Sequence, residues 1–239
     1  MISFKKLLFP DRCIICDDVF EQQFTKEQKS CICEKCEPKI IRIKEPICKK
    51  CGRPIKEDDE MLCENCTVNA GRFHFEYARS VFANEGEFTN CIYRFKYSNK
   101  RTYAKTFARE ALKVNPVFFK RNDFDVIIPV PLHKDRLKSR GYNQALLFAK
   151  EISKLTGIPV DDKSLKRQKK TGFLKEMTYR ERQYSLKNAF KIGKNGVLSK
   201  KVLLVDDIFT TGATADRASE VILEAGADSV HVLCICAGV

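Results

Sequence analysis

The sequence predicts an α/β fold, a mostly parallel sheet with flanking helices, preceded by a small N-terminal segment folded around metal. Two observations predict it. Four C-x-x-C pairs precede Gly71, and from Phe73 onward short apolar runs alternate with stretches whose apolar residues recur at helical spacing. The expected division is therefore 1–70 and 71–239.

Composition is that of a globular chain, with 44% hydrophobic and 31% charged residues in 239. The formal net charge of +13 favours polyanionic partners such as nucleic acid or phosphates. At the start, "MISFKKLLFPDRC" has a basic pair but only a short apolar run, ended by Pro10 and Asp11, so no cleaved signal peptide is expected. No segment has the length of apolar chain that crosses a bilayer. A cytoplasmic location follows as the expectation, peripheral to the inner face of the membrane only through partners.

In a reducing compartment, thiols at regular spacing point to metal rather than to disulfides. The pairs are "CIIC" (Cys13, Cys16), "CEKC" (Cys33, Cys36), "CKKC" (Cys48, Cys51) and "CENC" (Cys63, Cys66). A two-residue gap lets both thiolates of a tight turn face one ion, and two such turns complete a tetrahedral zinc site. Two zinc ions are expected. The turns pair either in order or as an interleaved cross-brace; both use the same eight residues. Cys31 is a spare thiol. The segment holds too few large apolar residues for an independent core, so metal must supply much of its folding free energy.

"ARSVFANE" reads as a strand or edge segment. Phe88, Ile92 and Phe95 then recur at helical spacing, as do Ala104, Phe107, Ala108, Ala111 and Leu112, with Pro116 ending that second helix. "FDVIIPVPL" is nearly continuous in apolar residues, as a central parallel strand covered on both faces would be. "NQALLFAKEISKLTG" is a helix with Gly157 as its stop, and "GIPV" could open a short strand. "VLLVDDI" is a second buried strand, Ala213 to Ala225 a helix ended by Gly226, and "VHVLCIC" a third strand. Cys91, Cys234 and Cys236 fall within these patterns as small buried apolar residues.

Ligands of open α/β sheets bind beyond the carboxyl ends of strands, and Asp206 and Asp207 lie at such an end. "TTGAT" follows, with the hydroxyls of Thr210, Thr211 and Thr214 around Gly212 and Ala213. The opening of a helix here favours a phosphate, while the paired carboxylates accept hydrogen bonds. A phosphate joined to a sugar diol satisfies both. The carboxylates could also hold Mg²⁺ through water. No G-x-x-x-x-G-K-[ST] occurs, which argues against a P-loop nucleotidase.

"VLLVDDIFTTGAT" resembles the phosphoribosyl pyrophosphate (PRPP) loop of type I phosphoribosyltransferases. The resemblance implies that Asp206 and Asp207 hold the ribose hydroxyls while Thr210, Thr211, Gly212, Ala213 and Thr214 bind the 5′-phosphate. Together with "RFKYSNKRTYAKTFA", "IIPVPLHKDRLKSRGYNQA" and the four C-x-x-C pairs, the chain is similar to the ComF family of late-competence proteins, and within it to the ComFC-like members. These join a double zinc ribbon to a phosphoribosyltransferase-like domain and are associated with taking up transforming DNA. DNA-uptake or helicase proteins are the partners so implied.

By position, Pro129 to Leu132, with Pro131 and Leu132 at its end, would face the pyrophosphate, with Arg136 and Arg140 nearby. A guanidinium grips phosphate through two hydrogen bonds, which suits both arginines to that task. His133 is as well read as a surface histidine as a general base. From Lys166 to Phe190 the family's mobile hood is expected: Arg167, Thr171, Arg182, Ala189 and Phe190 fit, but Leu174 stands where Gln is usual and Ser185 where Asn is. That departure weighs against transfer chemistry, not against PRPP binding.

The stretch "LKRQKKTGFLKEMTYRERQYSLK" carries eight basic residues against two acidic ones, so a phosphate backbone could lie across it at Lys169 and Lys170. Tyr93, Phe95 and Tyr97 interleave with Arg94, Lys96, Lys100 and Arg101, an arrangement on which bases could stack. Arg94, Lys96, Lys169 and Lys170 are thus the candidates for binding single-stranded DNA. Three functions remain open: a DNA-handling competence factor with a PRPP site, an active phosphoribosyltransferase, and a PRPP-sensing regulator.

Overall fold

A computed structural model describes residues 12–20, 31–55, 61–68, 73–169, 184–193 and 196–238. A short helix, α1 (Glu64–Val68), closes the cysteine-rich segment. Then follow β1 (Ala78–Ala83), α2 (Gly86–Tyr97), α3 (Tyr103–Val114), α4 (Pro116–Asn122), β2 (Val126–Pro129), α5 (Lys134–Arg140), α6 (Gln144–Thr156), β3 (Leu165–Arg167), β4 (Phe190–Ile192), β5 (Lys201–Phe209), α7 (Ala213–Glu224) and β6 (Ser229–Ala237).

The main sheet has the order β1-β6-β5-β2, and every pair in it is parallel. β3 and β4 form a separate antiparallel pair. Because side chains alternate across a strand, each face of the sheet collects its own core. Leu203, Val205, Leu233 and Ile235 join Phe88, Phe95, Phe107 and Phe148 of the helices α2, α3 and α6. Val202, Leu204, Val230 and Val232 join Phe75 and, from α7, Ala218 and Ile222 on the other face.

The cysteine-rich segment is divided between these two cores. Cys13, Ile14, Ile15 and Cys36 belong to the first, and Ile47, Cys48, Cys51 and Cys66 to the second. Its chain also runs along β1: the Ile43 amide donates to the Val81 carbonyl and the Ala83 amide to that of Ile41, both at 2.9 Å. Its apolar residues are therefore buried against the sheet and helices, in addition to whatever metal contributes.

The helix and strand patterns fall where the sequence puts them, with three differences. The run "FDVIIPVPL" yields β2, which is an edge strand of the main sheet rather than a central one. Its outer side is covered without a full strand: Ile127 donates to Pro159 at 2.8 Å and accepts from Asp161 at 2.9 Å. "GIPV" accordingly supplies only a bridge, Ile127 to Val160. Finally, Pro116 does more than end α3. It is the first residue of α4, where a missing N–H costs nothing.

Candidate functional site: the β5–α7 turn and the four-cysteine centres

β5 is longer than β2. Their pairing stops at Pro129 and Val205, beyond which, among the described residues, Asp206, Ile208 and Phe209 pair only with β6. The two aspartates thus lie where one flank of β5 opens, beside the loop that leaves β2. The Val130 amide, donating to the Val205 carbonyl at 2.8 Å, is the last link between them.

The turn that follows is fixed by Gly212. Its φ of +82° is left-handed, and a Cβ there would meet Phe209 Cζ at 2.9 Å and Phe73 Cε1 at 3.0 Å. Glycine is needed here for the turn and for two phenylalanine rings packed beneath it. A cavity of about 10 Å³ lined by Asp206, Thr210, Gly212 and Thr214 has space for one water at most. Thr210 is exposed at this turn, and Thr211 and Thr214 are half-buried.

Both carboxylates are partly withdrawn from solvent. Asp206 Oδ1 accepts from the Asp207 amide at 2.8 Å. Burial, and then the Asp207 charge, push the Asp206 carboxyl up to about 7, against the pull of that amide and of Lys96 and Arg167. Asp207 has its own cation: Lys96 Nζ lies 3.0 Å from Asp207 Oδ2, the side chains being only 16% and 15% exposed. Arg167, over the Phe190 ring at 5.4 Å, stands in the field of both Arg136 and Asp206, and burial lowers its pKa.

Asn143 ties the loop after β2 to α6. It caps the helix by accepting from the Ala145 amide and donates to the Val130 carbonyl, each at 3.0 Å. Pro131 and Leu132 line a hollow of about 390 Å³ with Leu137, Leu146 and Leu147. Arg140 is turned toward α2, with its guanidinium 4.9 Å from the Tyr97 ring centre and Nη2 bonded to the Tyr97 hydroxyl at 3.0 Å. His133 is buried, not on the surface, and its Nδ1 caps α5 by accepting from the Asp135 amide at 3.3 Å.

Two of the DNA-binding candidates face inward. Arg94 donates to the carbonyls of Ile14 and Ile15, and Lys96 holds Asp207. The reason is helical spacing. Lys96 is four residues from Ile92 and Arg94 three from Cys91, so both flank the buried stripe. Phe95 is buried as well, whereas Tyr93 and Tyr97 are exposed with ring centres 4.8 Å apart. Lys169 is exposed. Thr171, Arg182 and Lys170, with Leu174, lie outside the described residues.

The eight cysteines form two groups paired in order, Cys13, Cys16, Cys33 and Cys36, then Cys48, Cys51, Cys63 and Cys66, each with sulfurs within 4.8 Å of one another. The interleaved alternative is not adopted. Cys16 to Cys33 is 3.9 Å and Cys51 to Cys63 is 3.6 Å between sulfurs. A tetrahedron of thiolates at ordinary zinc–sulfur distances has edges of about 3.8 Å, which both groups fit. The amides of Ile15 and Cys33 each donate to Cys13 Sγ at 3.4 Å, as they would to a metal-bound thiolate. Cys31 belongs to neither group.

Residues 4–67 match the double zinc ribbon domain, and residues 143–238 the phosphoribosyl transferase domain. Competence protein F of Haemophilus influenzae is 33% identical over 150 residues, covering 59% of this chain and 64% of that protein. DNA utilization protein YhgH of Salmonella typhi is 29% identical over 150 residues, covering 61% and 65%. The chain thus spans less than two thirds of either relative. Competence protein ComFC of Streptococcus pneumoniae is 27% identical over 230 residues, 92% of this chain and 96% of the relative. A glutamine PRPP amidotransferase from B. subtilis, complexed with ADP and GMP, is 20% identical over 60% of this chain and 30% of its own, with a TM-score of 0.42. Among the described residues no helix is long and apolar enough to cross a membrane. The chain thus carries a double zinc ribbon match ahead of a phosphoribosyl transferase match, and it is similar along most of its length to proteins named for competence and DNA utilization.

Proposed function

We propose that this chain acts in DNA uptake, handling incoming single-stranded DNA in the cytoplasm, and that its β5–α7 turn binds PRPP or a related phosphorylated ribose. In this reading 1–70 is the ribbon unit and 71–239 the ligand-binding unit. Asp206 and Asp207 accept from the ribose hydroxyls, and the turn from Thr210 to Thr214 donates to the 5′-phosphate. A hydrated Mg²⁺ accompanying the diphosphate would meet the same two carboxylates and neutralise charge there. The observation that carries the reading is the pair of aspartates on β5 beyond its pairing with β2, followed after Ile208 and Phe209 by a glycine turn that opens a helix. The names of the relatives supply the connection to DNA.

The test is calorimetric titration with PRPP, with and without single-stranded DNA, using Asp206→Ala and Asp207→Ala as controls. Saturable heat from the wild type, lost in both variants, is expected. No heat from the wild type would overturn the ligand reading. A difference in PRPP affinity on adding DNA would identify a regulator, and the reciprocal effect on DNA affinity must then be equal.

A second reading, phosphoribosyl transfer, draws on one observation: Arg167 and Lys96 both act on the Asp206 carboxyl, and Arg136 acts on Arg167. Cations so gathered suit a departing diphosphate. Pyrophosphate release from PRPP in the presence of candidate acceptors distinguishes the two readings, and the first expects none.

A further inference from the structure

Lys96 lies 111 positions before Asp207, on a different element, and yet its ammonium is delivered to the carboxylate pair. The delivery is built. α2 buries Phe88, Cys91, Ile92 and Phe95, and its last turn is clamped by the segment that opens α6. The Tyr142 hydroxyl donates to the Phe95 carbonyl, and Gln144 Nε2 donates to the Lys96 carbonyl at 3.4 Å. Arg140 holds Tyr97 on the outer side. The stretches "RFKY" and "RGYNQ" are thus one unit whose inner product is a lysine fixed over Asp207.

An ion pair this withdrawn from water is a poor source of stability, because desolvating the two charges offsets much of their attraction. Such a lysine earns another explanation when its partner is one of two adjacent carboxylates in a site for an anion. A phosphorylated ribose brings several negative charges to Asp206 and Asp207, and its hydroxyls must compete with the ammonium for Asp207. A lysine displaced from Asp207 by a diol remains within reach of the diphosphate beside it, as a point charge with three donors.

We propose that Lys96 is a ligand-binding residue of the β5–α7 site, which exchanges Asp207 for the diphosphate when a phosphorylated ribose binds. The role rests on the PRPP reading above. It assigns the diphosphate side of the site to α2, and it removes Lys96 from the nucleic-acid surface.

The experiment is calorimetry on the zinc-loaded full chain with three probes: PRPP, ribose 5-phosphate and inorganic pyrophosphate. Lys96→Met keeps the length and packing of the stem without the charge, and Lys96→Arg keeps the charge. Losing a charge-assisted hydrogen bond predicts that Lys96→Met weakens PRPP about ten- to a hundredfold. Ribose 5-phosphate changes less than about threefold, because no lost charge-assisted bond is involved. Lys96→Arg retains most of the PRPP affinity. The Asp207→Asn background, in which removing the ammonium strands no charge, must show the same Lys96→Met loss toward pyrophosphate. Unchanged or tighter PRPP binding by Lys96→Met overturns the role, as does an equal loss with PRPP and ribose 5-phosphate, which would mark a lysine that only positions Asp207. A wild type that binds neither PRPP nor ribose 5-phosphate overturns the site reading itself, and this role with it.

Discussion

Arg42 Nε lies 2.5 Å from Glu110 Oε2, joining the cysteine-rich segment to α3 through a glutamate whose side chain is 2% exposed. Arg42 also pairs with Glu37 at 2.8 Å, and its backbone bridges to Phe82 of β1. A carboxylate so buried is tolerable only with its guanidinium. Arg42→Ala should cost about 3 kcal/mol, since it strands the Glu110 carboxylate, whereas Glu110→Ala leaves Arg42 paired with Glu37 and should cost less. Arg42→Met with Glu110→Leu should recover most of the loss. Urea unfolding of the zinc-loaded protein is the measurement, and single variants within 0.5 kcal/mol of wild type, roughly the noise of surface substitutions, would show that the pair is solvated.

Asp206 makes stability depend on pH in a defined direction. Its folded pKa, about 7, is raised above the ordinary 3.8. The protonated carboxyl is therefore the form the fold prefers. Its contribution is complete below the unfolded value and is lost as pH rises through about 7. Asp206→Asn should match wild type near pH 4 and exceed it above pH 7 by about 2 kcal/mol, a conservative fraction of the full shift. Taking the difference between the two proteins at each pH cancels effects of acid on the thiols. A variant that is less stable than wild type at pH 8 contradicts the burial argument.

Each four-cysteine group should bind one zinc ion independently. Colorimetric release after denaturation should give two ions per chain for wild type and for Cys31→Ser. Cys33→Ser and Cys51→Ser should each retain one. A loss of zinc on replacing Cys31 would mean that the thiols regroup around metal.

Single-stranded DNA should register on the outer face of α2. Tyr93 and Tyr97 are 62% and 55% exposed. Replacing either by Ala should weaken binding by about 1–3 kcal/mol if bases stack on them. Lys96→Met should leave both the affinity and its salt dependence unchanged, because that ammonium faces Asp207. Filter binding at several salt concentrations separates these outcomes, and a large effect of Lys96→Met with none from the tyrosines would invert the assignment.

Much of this architecture is legible in the sequence because burial on both faces writes continuous apolar runs. "VLLVDDI" and "VHVLCIC" are strands wherever the chain puts them, and Gly157 and Gly226 stop helices for local reasons. What the runs do not encode is neighbours. The run containing Val126 to Pro129 is as apolar as a central strand, yet its outer side is covered by the Pro159–Asp161 stretch rather than by another strand. Pro116 carries two meanings, a stop and a start, and only the first is visible in a periodicity that ends there. The carboxylate pair and its turn are contiguous and can be read directly. Lys96 is separated from them by most of the domain, and its one local sign was its place four residues after Ile92. The order of cysteine pairing is likewise a matter of which turns meet in space, which spacing leaves open.

The cysteine-rich segment has a second consequence, which concerns β1. β1 is the outermost strand of its sheet, and on the side away from β6 its polar backbone is met by Ile41 and Ile43, with Lys50 taking the Ala78 amide at 2.7 Å. Those three residues lie between or beside the four-cysteine centres. Stripping the metal would therefore uncover a template for intermolecular strand addition, next to Val81 and Phe82. On this account the zinc ions act partly as guardians of a sheet edge. A chain starved of zinc should be cleared or self-associate before it merely loses a ligand.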